Sequence, residues 1–246
     1  MNLGQMRDAV YDFLQEDATN NHISPSEIDR YCNEGMHKVH AIAAEQFEGF
    51  FRTDTTLSEV VDVSFIALPN DLLRISRLER LKGNHLPTTL RTPYTIPRLT
   101  DSYFEIDRAR GGLDVFWGAR NSNVGYIQHG QARIEMVPAP SATTADSLKL
   151  HYVYRPATMA QDTHVPFLQA AGAGSGTLAI LEEYHDLIWK WALMYAISKE
   201  GDSTQMQLVN RMYQERLDDM KKYLDRMNEQ EPRYVNAADD MDFFEY

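Results

Sequence analysis

The sequence predicts an α+β protein: a four-helix bundle formed by N- and C-terminal helix pairs, an inserted, mostly antiparallel β module, and an extended C-terminal tail. Three observations carry this expectation. Apolar residues recur at helical spacing near both ends of the chain. The middle third breaks into short β-branched and aromatic runs punctuated by Pro, Gly, Asn and Asp. Regular patterning stops at a glycine-rich stretch, AAGAGSGT at 170–177, and again at Pro232. The expected boundaries are 1–52 with 177–228 for the bundle, 53–169 for the β module, 170–176 for the linker and 229–246 for the tail.

In chain order, Leu3, Met6, Val10, Phe13 and Leu14 share one helical stripe. DATNNHIS reads as a loop. Ser24-Pro25-Ser26-Glu27 is a helix start, with Ser24 at the N-cap, Pro25 in the first turn and Glu27 reaching back. The helix that follows runs to about residue 49, with Ile28, Tyr31, Met36, Val39, Ala43 and Phe47 buried and Glu34, Lys38, Ala41, Glu45 and Glu48 on the other side.

The period then changes. TDTTLSEVVDVSFIALP, LLRISRLERLKGNHLPTTL, DSYFEIDRARGGLDVFWG, GYIQHGQARIEMVPAP and SLKLHYVYRPATM are strand-like runs, and Lys82-Gly83-Asn84 reads as a hairpin turn. LKLHYVY alternates, with Leu148, Leu150, Tyr152 and Tyr154 on one face and Lys149, His151 and Val153 on the other. After the glycine break come helices over about 178–200 and 203–228, separated by Gly201 as C-cap and Asp202 or Ser203 as N-cap. The last carries Met206, Val209, Tyr213, Leu217, Met220, Leu224 and Met227 as its buried stripe.

Composition narrows the function classes. The chain has 246 residues, is 43% hydrophobic and 24% charged, and so can bury a core. Lys and Arg number 24 against 36 acids, a formal charge of −12, which argues against a dedicated DNA binder. Cys32 is the single cysteine, so neither an intramolecular disulfide nor a cysteine zinc site is expected, in keeping with a reducing cytoplasm. No secretory signal and no membrane span are expected: LIWKWALMYAI is too short and carries Lys190.

Each candidate for chemistry has a plainer reading. His185 and Asp186 are helix neighbours that point about 100° apart and so do not face each other. Nothing nominates a third catalytic group; His185 is expected at a partly buried helix edge, and Asp186 is expected to pair with Lys190. Glu34, His37 and His40 follow Glu-x-x-His spacing, but a dimetal bundle also needs inward carboxylates from other helices, so a solvated helix face is the expectation. AAGAGSGT lacks the Lys-Ser/Thr of a phosphate loop and the spacing of a dinucleotide fingerprint. The arginines of the β region (Arg74, Arg77, Arg80, Arg91, Arg98, Arg108, Arg110, Arg120 and Arg133) are either a basic patch for nucleic acid or partners for carboxylates on a neighbouring surface. No catalytic residue, metal site or cofactor is expected; the alternative class is a small His-dependent hydrolase or metalloenzyme.

Two segments point to partners. The helix LEEYHDLIWKWALMYAISKE is apolar almost all round, so it is either a central core helix or packs against neighbouring subunits through Trp189, Trp191 and Tyr195. The tail alternates Asp239, Asp240, Asp242 and Glu245 with Met241, Phe243, Phe244 and Tyr246, which suits a segment that orders on a partner, its aromatics filling pockets.

The chain resembles the head-to-tail adaptor (connector or neck) proteins of tailed bacteriophages. The likeness lies in ARIEMVPAP followed by SLKLHYVYRPATM, in Val165-Pro166 leading to a helix that opens Glu-Tyr-His-Asp-Leu-Ile, and in an apolar helix closing with Glu200-Gly201-Asp202 before a charged one. AAGAGSGT departs from it as an insertion. The resemblance implies a non-enzymatic virion protein of the neck, made in the host bacterial cytoplasm. It implies a homo-oligomeric ring, usually of twelve copies, beneath the portal protein, which extends the DNA channel without specific DNA binding and offers a platform to a tail or nozzle protein. It assigns portal docking, or docking on a neighbouring copy, to Pro232–Tyr246, with Asp239, Asp240, Met241, Asp242, Phe243, Phe244 and Tyr246 as contact residues. Another tail or neck component is the nearest alternative.

Overall fold

The computed structural model describes residues 1–15, 22–82, 92–96, 98–99, 125–137, 139–169 and 181–230. They form four α-helices and two small antiparallel sheets, an α+β protein. The chain divides into two compact units, one from Met1–Phe50, Thr158–Phe167 and Leu178–Tyr246, the other from Phe51–Ala157 and Leu168–Thr177.

The first unit holds the helices. α1 spans Leu3–Leu14 and opens with a capping box in which the Asn2 side chain accepts from the Gln5 amide and the Gln5 side chain accepts from the Asn2 amide. The next orphan amides of its first turn find partners in the returning segment: Leu3 N–H donates to the His164 carbonyl and Gly4 N–H to that of Asp162, each at 3.0 Å. α2 spans Pro25–Gln46, capped by Ser24 and Glu27 as the sequence predicts. It ends earlier than expected, at Gln46, and a 3₁₀ turn over Glu48–Phe51 follows. Arg7 joins α1 to both neighbours, with a forked bond to Asp29 on α2 and a bond to Asp162, each at 2.9 Å. Asn33 fastens the same segment to α2: its amide donates to the Met159 carbonyl at 3.0 Å and accepts from the Met159 amide at 2.7 Å.

α3 spans Asp186–Glu200 and α4 spans Ser203–Gln230. A 3₁₀ turn over Glu182–Tyr184 precedes α3, so the α-helix proper starts later than the apolar pattern predicts. Gly201 closes α3 in the left-handed region at φ 79°, its N–H donating to the Ile197 carbonyl. Asp202 then caps α4 by accepting from the Thr204 and Gln205 amides. α3 packs against α1, α2 and α4.

The second unit holds the sheets. One has strand order β1-β7-β3-β4, from Arg52–Glu59, Thr144–Tyr154, Leu72–Lys82 and Thr92–Thr95. The other has order β2-β6-β5, from Phe65–Ala67, Arg133–Val137 and Gly125–His129. β7 is central in its sheet, and the predicted alternation holds: Leu148, Leu150, Tyr152 and Tyr154 are buried. Val153, expected on the polar face, is buried as well, between Arg52 of β1 and Arg74 of β3 in register. β3 and β4 pair antiparallel, with Lys82 opposite Thr92; Gly83 and Asn84 of the expected hairpin turn lie outside the described residues. Gln169 ties the end of β7 to the turn before β3: its amide donates to Asp71 at 2.7 Å and to the Tyr152 hydroxyl at 3.1 Å, while that hydroxyl donates to Asp71 at 3.1 Å.

Candidate functional site

The helix singled out by its all-round apolar pattern, α3, is the hub of the helical unit. Leu187, Ile188, Ala192, Leu193, Met194, Ala196 and Ile197 are buried. A helix buried on so many sides needs its few polar groups matched. Asp186 provides this: it accepts from Lys190 at 2.7 Å and from Arg216 of α4 at 3.3 Å. Arg216 also donates to the Glu183 carbonyl at 2.6 Å and lies over the Tyr184 ring, 4.7 Å from its centroid. The expected Asp186–Lys190 pair is therefore one arm of a larger clasp between α3 and α4.

The sequence-predicted packing residues lie where α3 comes to the surface. Trp191 is half-buried and packs among Gly35 and Lys38 of α2 and Tyr213 of α4. The Lys38 ammonium stands 4.3 Å from the centre of a Trp191 ring, a cation–π contact. Gly35 permits the approach, because a β-carbon there would meet the Ile188 carbonyl oxygen and two Trp191 atoms at 3.0 Å. Tyr195 is exposed and stacks on Tyr31 with centroids 4.6 Å apart and planes 6° apart. Trp191 meets Tyr195 edge-on at 5.5 Å, so three aromatics form one continuous strip. Trp189 lies apart, half-exposed beside Lys190.

His185 is fully buried, not at a partly buried edge as its neighbours suggest, and its ring lies 5.8 Å from that of Phe167. His40, expected on a solvated face with Glu34 and His37, is also buried, while Glu34 is exposed. Among the described residues no group of three or more His, Cys, Asp or Glu could hold a metal ion. Burial, with a smaller contribution from Asp29, pushes the Cys32 thiol up to about 12, so it is no thiolate at neutral pH. Of the β-region arginines, Arg77 and Arg80 pair within the chain with the buried Glu79 and Glu59, and Arg91, Arg108, Arg110 and Arg120 lie outside the described residues. Arg133 lies over the Phe65 ring at 4.3 Å. Met241, Phe243, Phe244, Tyr246, Asp239, Asp240 and Asp242 lie outside the described residues, as does AAGAGSGT.

Two exposed apolar surfaces escaped the sequence reading. On α4, Leu208 and Met212 are exposed, and so is Met206, which the stripe places inside. In the β unit, Val60, Val61, Val63 and Phe65 are exposed around the turn between β1 and β2. The run VVDVSF carried the signal, but alternation alone read it as part of a strand.

No helix among the described residues is long and apolar enough to cross a membrane. The family model of the SU10 adaptor protein matches residues 1–238. A comparison with curated proteins gives no match. The chain belongs to the SU10 adaptor protein family, in agreement with its resemblance to phage head-to-tail adaptors.

Proposed function

We propose that this adaptor is a non-enzymatic neck protein of the virion that assembles as a homo-oligomeric ring beneath the portal, extends the DNA channel and presents a platform to the tail. The observation that carries the reading is the family match over residues 1–238, which takes in both units. The helical unit supplies what a ring subunit needs, a packed frame with an aromatic strip in which exposed Tyr195 joins half-buried Trp191 to buried Tyr31. Trp and Tyr are enriched at such interfaces. In this reading the four helices act as one bundle and Trp189, Trp191 and Tyr195 bear on subunit packing.

A formal charge of −12 suits a wall past which DNA slides, since like charge disfavours adhesion. The tail from Pro232 to Tyr246 is the portal-docking element: its aromatics fill pockets and Asp239, Asp240 and Asp242 steer toward arginines. The test is to mix the full-length protein with its portal ring and weigh the product by native mass spectrometry. A stoichiometric multi-copy complex is expected. A protein that stays monomeric and does not co-migrate with the portal refutes the proposal.

A further inference from the structure

The two exposed apolar surfaces differ in kind and lie on different units, which bears on how a ring would close. The first is the turn Val60-Val61-Asp62-Val63, continued by Phe65. Its apolar side chains are 42% to 46% exposed, yet its backbone is fixed. Val61 N–H donates to Thr143 Oγ1 at 3.1 Å, Asp62 N–H to the Pro140 carbonyl at 3.0 Å and Val63 N–H to the Val60 carbonyl at 3.1 Å. Asp62 is held in the left-handed region at φ 60°, a conformation a non-glycine residue adopts at a cost. Next to it Arg133 and His129 brace the Phe65 ring. The valines are thus held outward on a braced turn.

The second surface is the outer face of the first three turns of α4. Leu208 and Met212, four residues apart and so on one face, are 45% and 37% exposed there. From Ser203 to Gln214 the sole charged residue is Arg211, although all but Val209 and Tyr213 are exposed. From Glu215 onward the same outer face is dense in Asp, Glu, Lys and Arg. An exposed helix surface poor in Lys, Glu and Asp but carrying Met, Leu and Arg has the composition of an interface core.

We infer that the turn of one copy seats on the α4 face of the next. This rests on the ring reading above and names the contact that would close the ring. The charges match: Asp62 is the one exposed charge of the turn, since Glu59 is buried against Arg80. It meets a face whose one charge is Arg211, which among the described residues pairs with an exposed Glu215 at 3.8 Å. Each surface is complementary to the other and not to itself. That makes the contact heterologous, the type that closes rings, rather than a two-fold one.

The experiment uses the full-length chain and the Val61→Asp and Leu208→Asp variants, with the milder Val61→Thr and Leu208→Gln as folding controls, each weighed by native mass spectrometry with and without the portal ring. Wild type is expected to form the multi-copy ring and each Asp variant to lose it. The two Asp variants mixed are expected to yield a one-to-one pair, because one turn and one α4 face remain intact between them. If wild type and both Asp variants all form the ring, the contact is overturned and the ring reading stands. If Leu208→Asp assembles with itself but no longer loads on the portal, the α4 face belongs to the portal and the contact is overturned. If wild type forms no multi-copy assembly in either condition, the ring reading fails and takes the contact with it.

Discussion

Replacing Gly35 with alanine should destabilise the helical unit, against the general rule for helices. In an unconstrained helix interior, Gly→Ala stabilises by about 0.8–1 kcal/mol. At Gly35 the added methyl would stand 3.0 Å from the Ile188 carbonyl oxygen and 3.0 Å from Cβ and Cδ1 of Trp191. None of these atoms is the free end of a flexible side chain, so α2 and α3 must separate or Trp191 must turn. Overpacking of this sort costs about 1–3 kcal/mol. The cost exceeds the propensity gain, and a net loss of about 1 kcal/mol corresponds to a Tm lower by about 2–4 °C for a chain of this size. Thermal melting followed by far-UV circular dichroism measures this, and tryptophan fluorescence should shift as Trp191 moves. A Gly35→Ala protein with a raised Tm and unchanged fluorescence would refute the close-approach argument.

Arg7→Ala removes the forked bond to Asp29 and the bond to Asp162; the expected loss is about 1–2 kcal/mol, smaller in high salt, read by urea denaturation at two ionic strengths. His185→Ala should lower the Tm through a buried cavity by about 2 kcal/mol equivalent, while His185→Ala and His37→Ala both leave portal loading unchanged; a hydrolytic turnover lost in either variant would overturn the structural reading. Burial, then the Asp71 carboxylate, push the Tyr152 phenol up to about 12, so the folded state holds this proton more tightly than the unfolded chain. The resulting stability is present in full below pH of about 10 and is lost as pH rises through about 12. Urea melts in that window should show Tyr152→Phe losing less stability with pH than wild type, though it starts about 1 kcal/mol lower for the bond to Asp71; identical slopes contradict the assignment.

Much of the fold is legible in the sequence because local chemistry specifies it. Ser24-Pro25-Ser26-Glu27 starts α2, Gly201-Asp202 separates α3 from α4, and Leu148, Leu150, Tyr152 and Tyr154 alternate into a core. Features set by distant contacts are not legible. His185 and His40 are buried by how helices pack, which their own neighbours do not encode. Met206 continues the α4 stripe in sequence, yet it is exposed. The turn Val60-Val61-Asp62-Val63 reads as strand because three of its residues are β-branched; its backbone is set by Pro140 and Thr143, far along the chain. The partner role of Trp189, Trp191 and Tyr195 follows from composition, whereas the strip joining Trp191 and Tyr195 to Tyr31 requires α2 in place.

The most direct test of the account compares the full-length protein with a chain ending at Glu231, each alone and with the portal ring, by native mass. The account predicts that the full-length protein loads as a stoichiometric ring and that the shortened one does not, with α1 to α4 and both sheets intact. Loading of both forms would contradict the docking role of the tail, and loading of neither, with both monomeric, would contradict the adaptor ring itself.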